Sequence, residues 1–236
     1  EEKRQIFESL GIDILVEFPL TYETAATPKE VFVEEILVKR LNAGFIVAGT
    51  DLSFGKNGEG NSDFLIEESR KFNFEVEIID KISYKGEIIS STLVRKAIAE
   101  GDVKKAHFMM GNPYFVQGIV QKGNQLGRTI GFPTVNLVAE EEKLLPPNGV
   151  YKTEVIVDGR IFEAITNVGC KPTVTDNEQI FIESYLYNFR ENIYGKRIEV
   201  HFLEFMRQEQ KFDSIEELKK QLQKDIGLGQ KINVEV

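Results

Sequence analysis

Apolar positions along the first 110 residues follow two rhythms. Short solid runs, IDILVEF at 12–18, FIVAG at 45–49 and EVEIID at 75–80, predict buried strands. Between them apolar residues recur at helical spacing. In EEKRQIFESLG, Ile6, Phe7 and Leu10 share a helical face, and Gly11 follows as a stop. Thr27-Pro28 opens a helix over PKEVFVEEILVKRL, with Val31, Phe32, Ile36, Leu37 and Leu41 apolar, and residues 62–73 predict another. Strand, helix, strand, helix, strand argues for a parallel α/β sheet of the nucleotide-binding kind.

The rhythm changes after Gly111. Short runs of aromatic and β-branched residues follow one another: YFVQGIV, VYKTEVIV, IFEAITNV, IFIESYLYNF and RIEVHFLEF. Asp158-Gly159 between two of them is a two-residue hairpin signal. Strands at this spacing predict a small antiparallel barrel. Ser214 with Glu217 predicts a capping box for a closing helix whose apolar stripe is Ile215, Leu218 and Leu222. The boundary is placed near Gly111 to Pro113, giving domains 1–111 and 112–236. The fold class expected is thus a partial Rossmann-like α/β domain followed by an antiparallel β-barrel with a C-terminal helix.

The 236 residues suit two domains. A net charge of -9 argues against non-specific nucleic-acid binding, but local amides and a few cations can still hold a phosphate. One cysteine, Cys170, excludes an intrachain disulfide framework. His107 and His201 cannot build a zinc site with it on standard spacing. With no apolar run of membrane-spanning length and no signal peptide, a cytoplasmic protein with no membrane partner is expected.

The segment GNQLGRTIGFPTVNL carries the chemistry. Glycines at 123, 127 and 131 let backbone amides turn toward an anion. The spacing is not that of a Walker A loop, and Arg128 stands where its lysine would be. Thr134 and Asn136 offer hard oxygens suited to Mg²⁺ bridging phosphates, and two residues apart on an extended chain they share a side. The bland alternative is a glycine-rich turn feeding a strand. Glu183 lies inside the run IFIESYLYNF, where a carboxylate costs desolvation unless it has a partner or a job. Its alternative is an edge position facing solvent between Phe181 and Tyr185.

GRTIGFPTVNL is similar to the G-F-P-T-x-N signature of the riboflavin kinase family. The likeness continues through NGVY, NVGCKPT, ESYLYNF, IYGKRIEV and EQKFDS, from about Tyr114 to about Ile226. The resemblance implies a closed antiparallel barrel that phosphorylates riboflavin with ATP and Mg²⁺. It implies Thr134 and Asn136 as magnesium and phosphate ligands. Gly127, Arg128, Thr129, Gly131 and Pro133 would form the loop along the nucleotide, with Glu183 as the base. Phe132 and the loop from Arg207 to Phe212 would close over the flavin. Residues 12–110 resemble the later half of an FMN adenylyltransferase domain, as in bacterial bifunctional FAD synthetases. There Asp51, Phe54 and Gly55 match the family's G-x-D-F-x-F-G loop, with Leu52 where Phe is usual. Ser90, Ser91, Thr92 and Arg95 match its ATP-binding I-S-S-T-x-x-R segment; an ordinary helix cap is the alternative. No H-x-G-H segment occurs, so this chain as given is read as lacking the first part of that domain and is not expected to make FAD. The expected partners are small molecules: riboflavin, ATP and FMN. A non-catalytic flavin or nucleotide-binding remnant, or a nucleotidyltransferase for another substrate, are the competing readings.

Overall fold

The computed structural model describes residues 2–123, 126–139, 142–171 and 179–231. The chain forms two compact units, residues 1–88 and 89–236.

The first unit holds α1 (Glu2–Ser9) and α2 (Tyr22–Ala25). A short α3 (Lys29–Val31) then runs into a π-helix, Phe32–Arg40. After it come β1 (Phe45–Gly49), α4 (Ser62–Phe72) and β2 (Glu75–Ile79). β1 and β2 pair in parallel from Phe45↔Glu75 to Gly49↔Ile79, as the alternation of elements predicts. Asn61 caps α4 by accepting from the Phe64 amide at 2.9 Å, and Asn73 ends it in the left-handed conformation. Val33, Leu65 and Phe74 form the core, with Leu37, Val38 and Phe54 against it.

Three expectations fail in this unit. β1 and β2 form but are not buried runs, since Phe45, Val47 and Ile79 are exposed. Residues 12–18 form no strand. Ile14, Val16 and Leu20 are exposed, and among the described residues no strand lies alongside to supply a hydrogen-bond ladder. The helix after Pro28 is wound mostly as π rather than α. Bonds closing i→i+5, such as Leu41 N to Ile36 O at 3.0 Å, stack residues five apart. That puts Val33 and Val38 together on the core, while Val31 and Leu41, expected on the apolar face, are exposed. A small hairpin, β3 (Ser83–Tyr84) with β4 (Glu87–Ile88), turns through Lys85 and Gly86, both at positive φ.

The second unit opens with α5 (Ser91–Ala99) and α6 (Val103–Met110). Then come β5 (Tyr114–Gln121), the short α7 (Leu126–Thr129), β6 (Val135–Val138), β7 (Gly149–Val157), β8 (Arg160–Lys171), β9 (Gln179–Leu186), β10 (Arg197–Arg207) and α8 (Ile215–Gly229). The six strands close a barrel in the order β10-β5-β6-β9-β8-β7, every pair antiparallel. All five expected strand runs are present. Asp158 and Gly159 both take positive φ in the predicted hairpin, as a primed two-residue turn requires.

Alternation along the strands decides what faces in. Val155, Val157, Val168, Ile182, Val200 and Phe202 fill the interior. Thr153, Thr166 and Ser184 add a buried hydroxyl chain there, linked at 2.7 and 2.8 Å. Interior Tyr151 donates its hydroxyl to the Pro147 carbonyl at 2.6 Å. Burial pushes this phenol from the ordinary 10.0 up to about 12, and pushes Tyr187 up as well. The neutral forms are favoured in the folded state. Their contribution is complete below pH 10 and is lost as pH rises through the folded values. Urea stability is therefore expected to hold to about pH 9 and to fall across roughly 10 to 12, with part of the fall removed in Tyr151→Phe.

α8 begins at Ser214, which accepts from the Glu217 amide at 3.2 Å. The expected capping box is displaced by one residue, because the Glu217 carboxylate accepts from Asp213 N rather than from Ser214 N. Leu218, Leu222 and Ile226 face the barrel's cavity, whereas Ile215 is exposed.

Candidate active site on the outer wall of the barrel

The glycine-rich segment shapes the approach to β6. Phe132 N donates to Gly127 O at 2.7 Å, so the loop folds back on α7. A Cβ on Gly127 would overlap the Phe132 carbonyl, and Gly131 turns at φ +91. The chain then enters β6 with Thr134 immediately before the first strand residue. The described part of this segment excludes residues 124–125, and the end of NVGCKPT lies outside the described residues.

β6 lies between β5 and β9, with Gln121↔Asn136 on one side and Asn136↔Glu183 on the other. Glu183 is opposed in turn by Asn167 of β8. Directly opposed residues project from the same face of an antiparallel pair. Asn136, Glu183 and Asn167 therefore form a polar row across three strands on the outer wall, while Ile182 and Ser184 point inward. β9 is paired on both sides, so the edge reading of Glu183 does not hold. Thr134 Oγ1 donates to Glu183 Oε1 at 2.5 Å, which gives the half-buried carboxylate a partner.

Two cavities meet at Thr134. One, of about 190 Å³, has Gly127, Phe132, Thr134 and Glu183 at one end and becomes apolar toward Val150, Ile165 and the inner face of α8. Phe132 stands edge-on to Tyr185, ring centroids 5.8 Å apart. The other, of about 350 Å³, is bounded by Gly123, Arg128, Pro133 and Asn136, with Arg190 and Tyr194 opposite. Thr129 and Gly131 line neither, but they belong to the turn that carries the chain from α7 to Phe132.

The loop expected to close over a flavin lies on the apolar cavity, with Arg207 and Phe212 both in its wall. The Arg207 guanidinium is committed to Asp225 of α8, with Nε at 3.0 Å and Nη2 at 2.7 Å from its oxygens. Gln221 donates to the same carboxylate at 2.8 Å, so this buried acid is fully engaged. Beyond Arg207, Glu209 Oε1 accepts from Asn167 Nδ2 at 3.0 Å. The motif reading missed Asn167, Asp225 and Tyr185. Asn167 opens the NVGCKPT stretch and Tyr185 lies in ESYLYNF, two positions from Glu183 and so on its face of the strand, but neither was given a role.

Thr134 and Asn136 carry uncharged side-chain oxygens, and among the described residues no group of three or more His, Cys, Asp or Glu could hold a metal. A cation carried by phosphates suits them, since Mg²⁺ needs only one or two protein oxygens beside phosphate and water. The space fits: a Cβ on Gly123 would come within 2.6 Å of the Asn136 carboxamide, and one on Gly127 within 3.2 Å of Thr134 Oγ1.

The adenylyltransferase candidates fall in different units, Asp51, Phe54 and Gly55 in the first and Ser90 to Arg95 in the second. Asp51 pairs with Lys81 at 3.0 Å, and that neighbour holds its carboxyl below the usual range. Phe54 packs its ring 5.3 Å from Phe32, and Gly55 turns at φ +73 against Lys29. Ser90 caps α5, accepting from the Leu93 amide at 3.2 Å; Ser91, Thr92 and Arg95 are exposed on its first turns.

Residues 110–233 match the family model described as riboflavin kinase, and residues 1–93 match that described as FAD synthetase. The chain is thus a kinase-type barrel preceded by an FAD synthetase α/β region. Its curated relatives are named bifunctional riboflavin kinase/FMN adenylyltransferase. The one from Listeria monocytogenes is 37% identical over 95% of this chain and 71% of its own length, and the one from Bacillus subtilis 34% identical over 95% and 71%. The chain belongs to this bifunctional riboflavin kinase/FMN adenylyltransferase family. A crystal structure from Streptococcus pneumoniae, described as a macrolide-efflux protein, is 32% identical with a TM-score of 0.89, covering 98% of this chain and 74% of that one. Among the described residues here, no helix is long and apolar enough to cross a membrane.

Proposed function

We propose that this chain transfers the γ-phosphoryl group of ATP to the terminal ribityl hydroxyl of riboflavin, giving FMN and ADP. The observation that carries the reading is the Thr134–Glu183 hydrogen bond at the junction of an apolar and a polar cavity. The flavin ring belongs in the first, against Phe132, Ile165 and α8. The nucleotide phosphates belong in the second, beside Arg128 and Asn136. The terminal hydroxyl then reaches Glu183, which accepts its proton as the oxygen attacks the γ-phosphorus. The new O–P bond forms as the bond from the γ-phosphorus to the bridging oxygen breaks, and ADP leaves. Thr134 Oγ1 and Asn136 Oδ1 would hold Mg²⁺, which when bound neutralises phosphate charge. Thr134 orients the base through the bond it already donates.

The chain's two histidines lie in α6 and β10, where His201 stacks on Phe115 and bonds Glu199 at 2.9 Å. Incubation with riboflavin, ATP and Mg²⁺, followed by chromatography of the flavins, is expected to give FMN. FMN with FAD would assign adenylylation to this chain as well. Neither product from folded protein would overturn the kinase reading and favour a flavin-binding role.

A further inference from the structure

We infer that Asn167 is a specificity-determining residue, one that reads the secondary hydroxyls of the substrate's polyol chain. The inference rests on the kinase reading and assigns that site a polar contact outside the signature motif.

The reacting end of the apolar cavity is at Thr134 and Glu183, and its ring-sized apolar end is at Val150, Ile165 and α8. A substrate spanning the two must lay its linker between them. Asn167 is on that stretch of wall: it lies directly opposite Glu183 across the β8–β9 ladder, and its neighbour across β7 is Val150. It therefore sits one strand from the base on the way to the apolar end. Two pairs of polar groups in the wall hold one another. Arg207 and Asp225 satisfy each other with Gln221, and Thr134 and Glu183 are bonded to each other at the reacting end.

What Asn167 holds in this structure points to its ligand. Its Nδ2 donates to Glu209 Oε1 at 3.0 Å, and Glu209 comes from the exposed loop after β10. That loop lies close enough for a Cβ on Gly169 to overlap the Glu209 carboxylate. The carboxylate oxygen stands in for a hydroxyl oxygen of the linker, an acceptor presented to the same N–H. Entry of the polyol exchanges one acceptor for another and leaves Asn167 satisfied. A ligand with a bare alkyl linker would displace Glu209 and leave the carboxamide without a partner, a penalty that discriminates against it.

The test compares riboflavin with an isoalloxazine carrying a 5-hydroxypentyl chain at N10. This analogue keeps the ring and the terminal hydroxyl but lacks the secondary hydroxyls. The ratio of kcat/KM for the two, at saturating MgATP, is measured in the parent, Asn167→Ala and Asn167→Ser. The parent is expected to prefer riboflavin, the preference to fall at least tenfold in Asn167→Ala, and Asn167→Ser to restore part of it. If Asn167→Ala does not fold, the ratio is read from Asn167→Ser alone. An unchanged ratio, whether both substrates lose equally or neither loses, would overturn the inference while leaving the kinase reading intact. A parent inert toward riboflavin would overturn both.

Discussion

Glu183→Ala is expected to lower turnover of riboflavin by about 10²- to 10⁴-fold, the range of a positioned general base, while changing ATP affinity little. The split follows from where the carboxylate sits. Glu183 lines the apolar cavity and not the polar one that would take the nucleotide, whereas Thr134 lines both. Truncation removes the proton acceptor and the Thr134 contact without opening the β6–β9 ladder, because the pairing is backbone. Single-turnover phosphorylation, with nucleotide binding measured separately by calorimetry, reads the two quantities apart. Turnover near the parent level would remove Glu183 from the base role. A parallel loss of ATP affinity would mean that it holds the nucleotide.

The second large effect is on stability. Asp225→Ala should destabilise the barrel unit by about 3 kcal/mol, the lower end for breaking a buried ion pair. Asp225 is 1% exposed and engages both Arg207 and Gln221, so its loss strands two donors, one of them charged. Arg207 keeps some solvent contact, which holds the cost near that lower end. Replacing both partners by leucine leaves no orphan charge and is expected to cost about 1 kcal/mol or less. Urea unfolding of the single and double variants measures the difference. Because α8 brings Leu218, Leu222 and Ile226 to the cavity, the single variant is also expected to raise KM for riboflavin more than it lowers kcat. A double variant as unstable as the single would place the effect in helix packing rather than in the stranded charge.

The sequence by itself determined much of this protein. Period-two alternation and turn chemistry are local, so the barrel strands and the Asp158-Gly159 hairpin were legible residue by residue. So were the β1-α4-β2 alternation, the cap at Ser214 and the glycine-rich approach to Thr134, along with the family those residues belong to. Tertiary structure decided the rest, because strand pairing and side-chain partnership depend on residues far apart in the chain. The run at 12–18 reads as a strand until a pairing partner is sought among the described residues. The helix after Pro28 reads as α until the core selects a winding that aligns Val33 with Val38. Glu183 alone fits an edge or a base equally well. Only the register, with Asn136 on one side and Asn167 on the other, sets it inside a wall beside the Thr134 hydroxyl. The partner of Arg207 is not legible in the sequence: only when α8 folds back does Asp225, eighteen residues on, meet its guanidinium in the cavity wall. A one-dimensional pattern states which faces are apolar. Which polar groups meet across them is set by closure of the barrel, where each desolvated donor or acceptor has to find its partner.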